Sequence, residues 1–121
     1  MIKNFEEHTF ELTDEETNFI PILIKTFETR YKNNQPPIKA PDIIRGLNDY
    51  CQRNKIDMKF SEVRLRKMVN HIRTNSLLPL IATSKGYFIS YDFKIVEDQV
   101  QSLYQRAASI KKCADGLLKF T

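Results

Sequence analysis

Apolar positions along the chain fall into helical stretches and one alternating stretch, separated by polar turns. Ile20, Leu23, Ile24, Phe27 and Tyr31 repeat at i, i+3, i+4, i+7 and i+11, which predicts a core-facing helix over about 14–31. Phe19 and Ile22 widen its stripe, so burial on two sides is expected. Thr13-Asp14-Glu15-Glu16 opens it as a capping box, with acids at the positive end of the helix dipole. Pro21 has no N–H to return to Thr17, which predicts a kink or break there. Pro36 and Pro37 favour extended backbone and leave Ile38 as a very short strand. Pro41 suits the first position of a second helix, about 41–53, buried through Ile43, Ile44, Leu47 and Tyr50 or Cys51. Ser61 caps a third helix, about 61–74, with Leu65, Met68, Val69 and Ile72 inward and Asn75 ending it in a left-handed turn.

Two β-prone runs follow, Leu77–Thr83 and Tyr87–Tyr91. The turn between them holds Ser84, Lys85 and Gly86, with Gly86 supplying a positive φ, and the whole reads as a hairpin. Asp92 caps a last helix. Within it Val96, Val100, Leu103, Ala107, Ile110, Ala114 and Leu117 are spaced 4-3-4-3-4-3, a heptad seam about three repeats long. The fold class is α+β, mostly α. The order helix, short strand, helix, helix and two-stranded wing is that of a winged helix, here followed by a long C-terminal helix. The expected organisation is an N-terminal arm at 1–12, a winged-helix domain at 13–91 and the C-terminal helix at 92–121.

The stretch Ile72-Arg73-Thr74-Asn75-Ser76-Leu77-Leu78-Pro79-Leu80-Ile81-Ala82-Thr83-Ser84-Lys85-Gly86-Tyr87-Phe88-Ile89, with the helix before it, resembles short phage- and prophage-associated winged-helix proteins of gut bacteria. The similarity spans roughly residues 13–110. It implies a winged helix-turn-helix fold and a DNA-binding role, and carries no operator, ligand or catalytic residue with it.

Charge sharpens this picture. The formal net charge is only +4, but it is unevenly placed. Glu6, Glu7, Glu11, Asp14, Glu15, Glu16 and Glu28 make the first part acidic, whereas Lys59, Arg64, Arg66, Lys67 and Arg73 cluster on and just before the third helix against Glu62 alone. At 100° per residue, Lys67, Asn70 and Thr74 are expected to point directly away from the Leu65-Met68-Val69-Ile72 face. Arg66 and Arg73 fall on one flank, Arg64 and His71 on the other. In a winged helix this helix enters the major groove. Asn70 is then placed to pair with adenine, and the flanking cations suit phosphate. Val63 also faces outward, towards a thymine methyl or under the N-terminal arm. Lys85, at the wing tip, reaches phosphate or the minor groove. The expected DNA-binding residues are thus Arg64, Arg66, Lys67, Asn70, Arg73, Thr74 and Lys85.

The heptad residues from Val96 to Leu117 are candidates for homodimerisation, the alternative being packing of the helix on its own domain. Cys51 and Cys113 match no metal-ligand spacing and read as reduced structural thiols. His8 and His71 lack partners at ligand spacing, Gly46, Gly86 and Gly116 form no phosphate loop, and no Ser/His/Asp constellation appears. Neither enzyme activity, cofactor, metal nor small-molecule ligand is expected. No apolar run reaches a membrane span and the N-terminus lacks signal-peptide character, so a cytoplasmic location is expected. The function this supports is duplex DNA binding by a transcription regulator or accessory factor of a mobile element. The competing function is a winged-helix protein-interaction adaptor without DNA binding.

Overall fold

A computed structural model describes residues 11–121. Its elements are α1 (Asp14–Lys32), α2 (Ala40–Arg53), α3 (Glu62–Thr74), β1 (Leu80–Thr83), β2 (Gly86–Ile89) and α4 (Phe93–Leu118). The class is α+β and mostly helical, with a single two-stranded antiparallel sheet among the described residues. The expected N-terminal arm, with Phe5, His8 and Phe10, lies almost wholly outside them. The chain divides into two compact units, one ending at Ile89 and one beginning at Ser90.

In the first unit, three helices and the base of the hairpin enclose one core. Leu23 of α1, Cys51 of α2 and Leu65, Met68, Val69 and Ile72 of α3 are all at most 1 % exposed. Leu78, Leu80 and Ile89 close it from the hairpin side. Burying side chains of this size contributes about 1.5–3 kcal/mol each. Phe19 sits between the helices, edge-on to Phe60 with ring centroids 4.9 Å apart and to Tyr50 at 5.9 Å.

The capping box forms as expected. The Thr13 N–H donates to Glu16 Oε1 at 2.8 Å and the Glu16 N–H to Thr13 Oγ1 at 3.1 Å. The break expected at Pro21 does not occur: α1 runs unbroken from Asp14 to Lys32. Pro21 and Thr17 both lie on the exposed side, so the carbonyl that loses its partner faces water, while Phe19, Ile20 and Leu23 hold the opposite face in the core.

The three helices of this unit end alike. Asn33, Asn54 and Asn75 are the C-caps, and the residue after each, Asn34, Lys55 or Ser76, takes a left-handed φ of 51°, 55° or 54°. The next N–H reaches back five positions in each case, Gln35 to Arg30 O, Ile56 to Cys51 O and Leu77 to Ile72 O, the pattern of a Schellman motif. The left-handed turn expected at Asn75 is therefore one residue later, at Ser76, because Asn75 is still held by its own N–H to His71 O.

The strands are shorter than the apolar runs suggested. Leu77 and Leu78 belong to the turn after α3 and to the core lid. Pairing runs from Leu80 against Ile89 to Thr83 against Gly86, leaving Ser84 and Lys85 as the loop. Ile38 does act as a minimal strand. Its N–H donates to Tyr87 O at 3.0 Å, and its carbonyl oxygen accepts from the Tyr87 N–H at 2.8 Å. Gly86 has the expected positive φ, +123°. It also has no room for a side chain, because a Cβ there would lie 2.5 Å from the carbonyl carbon and oxygen of Ile38.

In the second unit α4 starts where expected. Asp92 Oδ1 accepts from the Lys94 and Ile95 N–H groups at 2.9 and 3.2 Å. None of its residues is buried. All seven heptad residues lie within it, and Ile110 and Leu117 are 66 % and 69 % exposed. Both cysteines are free thiols. Cys51 fits the structural role expected of it, and burial pushes its thiol pKa up. Cys113 does not, since it lies exposed on α4.

Candidate nucleic-acid interface

α3 is fixed at both ends. Before it, Asn48 of α2 clamps the backbone of Phe60, accepting from the Phe60 N–H at 2.7 Å and donating to its carbonyl at 3.4 Å. Phe60 itself is buried. Ser61 Oγ then accepts from the Arg64 N–H at 3.2 Å, the expected N-cap. From the last turn of the helix, Arg73 Nε donates to Leu80 O at 2.9 Å and ties α3 to β1. A helix anchored at each end and along four buried side chains presents its remaining face in a fixed orientation.

One flank of that helix meets Glu16, and here the expectation from the helical projection fails. Lys67 does not point away from the protein. Its Nζ lies 2.8 Å from Glu16 Oε1 and its side chain is only 12 % exposed. Arg64 Nε donates to Glu16 Oε2 at 2.8 Å, and its Nη1 donates to Lys59 O at 2.8 Å. Glu16, 1 % exposed, thus accepts from two cations and from the Thr13 N–H. Burial alone would raise its carboxyl pKa. The Lys67, Thr13 and Arg64 hydrogen bonds and the Lys67 charge outweigh that and leave it below the ordinary value. Arg64 and Lys67 therefore hold α1 to α3, and their two charges are offset by one carboxylate.

The projection missed this because it follows the Cα–Cβ direction alone. A lysine stem is long enough to lie back along a flank and place its ammonium over a neighbouring helix. The capping box gave away the position of Glu16 but not its second task.

The outward face that remains consists of Glu62, Val63, Arg66, Asn70 and Thr74. Arg66 and Thr74 are exposed, Asn70 is half-buried and Val63 is 56 % exposed. Arg66, Asn70 and Thr74 follow one another a turn apart. Arg73 is half-buried at the edge, committed through Nε to the hairpin. Lys59, exposed just before the helix, adds a cation that the projection did not include. Lys85 is exposed at the hairpin tip, where its N–H donates to Thr83 Oγ1 at 3.1 Å. Of the expected set, then, Arg66, Asn70 and Thr74 share one accessible face, Lys85 stands at the loop, and Arg64, Lys67 and Arg73 make internal contacts.

Among the described residues, no three His, Cys, Asp or Glu side chains gather closely enough to hold a metal ion. No helix of the described residues is long and apolar enough to cross a membrane. No family model, curated protein or solved structure matches the chain.

Proposed function

We propose that the chain is a winged helix-turn-helix protein that binds duplex DNA, acting as a regulator or accessory factor of a mobile element in the cytoplasm. The observation that carries this reading is the accessible face of α3, with Arg66, Asn70 and Thr74 in line on a helix clamped at both ends. In this reading α2 and α3 are the helix-turn-helix, Ile38 is the short strand, and β1–β2 is the wing. Arg66 contacts phosphate or guanine, Asn70 reads adenine, and Lys85 touches the backbone beside the groove. A second partner is another copy of the chain, held through α4.

Gel-shift titration on random duplexes at two salt concentrations, followed by sequencing of the bound fraction, tests the proposal. Steeply salt-dependent binding with an enriched sequence supports it. Absence of binding at low salt by the folded chain overturns it. The adaptor reading draws on one observation, Val63 at 56 % exposure on the same face as acidic Glu62. An apolar residue beside an acid suits a protein surface better than a phosphate backbone.

A further inference from the structure

The seam of α4 is apolar, about three heptads long and unburied. Its two kinds of position differ in size. Val96, Leu103, Ile110 and Leu117 recur every seventh residue and are branched and bulky. Val100, Ala107 and Ala114 form the other series, which is small beyond its first member. This asymmetry decides how two such helices fit together.

In a parallel pair each position meets itself. Ala107 would face Ala107 and Ala114 would face Ala114, leaving gaps between layers of paired Leu103, Ile110 and Leu117. Arg106 and Lys111 would also meet across both flanks of the seam, a like-charge contact made twice. In an antiparallel pair the bulky series meets the small one. Leu103 then packs on Ala114 and Ile110 on Ala107, so large meets small in the four central layers, while Val100 covers Leu117 at either end. The Arg106–Lys111 contact disappears, and Lys111 comes beside Tyr104 instead. This register also covers Ile110 and Leu117, the most exposed of the bulky seam residues.

We infer that two copies of the chain pair antiparallel through α4, in the register that sets Leu103 of one copy on Ala114 of the other. This rests on the proposal that α4 joins two copies, and it does not depend on DNA binding.

Light scattering of the full chain at high micromolar concentration gives the number of copies, and disulfide trapping gives their direction. Both trapping variants carry Cys113→Ser, so that the exposed thiol does not contribute. Leu103→Cys alone should give no covalent dimer under mild oxidation, because the two thiols lie in different layers. Leu103→Cys with Ala114→Cys should give covalent dimers readily. A mass of one chain overturns the pairing itself. A mass of two chains with trapping by Leu103→Cys alone overturns the direction and shows a parallel pair. Two chains with trapping by neither variant overturns the register. Should the cysteine variants fold poorly, Ile110→Asp provides the check: it should convert two chains to one, and retention of the dimer overturns the seam.

Discussion

The Lys67 ammonium lies 2.8 Å from the buried Glu16 carboxylate, so the most central cation of α3 is turned inward onto α1. Arg64 closes the same carboxylate from its other oxygen. A carboxylate withdrawn from water is tolerated only when it is paired and hydrogen-bonded, and Glu16 has three donors. Removing it strands two cations and dissolves the capping box.

Glu16→Ala should therefore destabilise the fold by about 3–5 kcal/mol, the usual cost of breaking a buried ion pair from one side. Lys67→Met should cost less, since Arg64 and the Thr13 N–H still serve the carboxylate. Urea denaturation of both variants measures the difference. Equal and small losses would show that the cluster contributes little to holding α1 on α3.

Acid should act through the same group. Glu16 titrates lower in the folded chain than in the unfolded one, so unfolding takes up a proton in acid. Its contribution is fully present above the ordinary carboxyl value of 4.5 and disappears as pH falls through the depressed folded value. Urea midpoints followed from neutral to acid pH should fall more steeply between 4.5 and the depressed folded value in the parent chain than in Glu16→Gln.

Binding and stability should separate by residue. Arg66→Ala should leave the urea midpoint nearly unchanged, weaken duplex binding and reduce the salt slope by about 0.9 if Arg66 neutralises one phosphate. Asn70→Ala should relax preference at a single base pair, by about 1–3 kcal/mol of discrimination. Lys67→Met should instead lower stability and change affinity little. A larger affinity loss for Lys67→Met than for Arg66→Ala would reverse the assignment of the contact face.

Gly86→Ala should lose about 2–3 kcal/mol. The added methyl meets backbone rather than a movable side chain, and the residue must also hold φ +123°. Thermal melting reads the loss directly.

Ser76→Gly should stabilise the fold by about 1 kcal/mol, because a left-handed φ of 54° strains any residue with a Cβ. Lys55→Gly at the end of α2 should act in the same sense. A lower urea midpoint in Ser76→Gly would mean that the serine makes a contact outweighing the strain.

The elements of the domain were legible in the sequence wherever a local signal defines them. The stripe from Ile20 to Phe27, the caps at Thr13, Ser61 and Asp92, and Gly86 after the hairpin loop all depend on neighbours within a few residues. What stayed hidden depends on distance along the chain. Nothing near Lys67 announces Glu16, which lies on another helix, and nothing near Asn48 announces its clamp on Phe60, twelve residues later. Pro21 misled for a related reason: its local cost is real, but the packing of Phe19, Ile20 and Leu23 outweighs it. The candidate face was therefore half legible, with the helix placed correctly and its inward-turned cations not.

The paired bonds between Ile38 and Tyr87 have a dynamic consequence. A hairpin loop usually frays on its own, and its amides then exchange with solvent quickly. Here the Tyr87 amide is held by the segment between α1 and α2, so it becomes free only when the hairpin and that segment part. Its hydrogen-exchange rate should track opening of the helical domain, with that of the Ile38 amide, while the Lys85 amide at the loop exchanges on its own schedule.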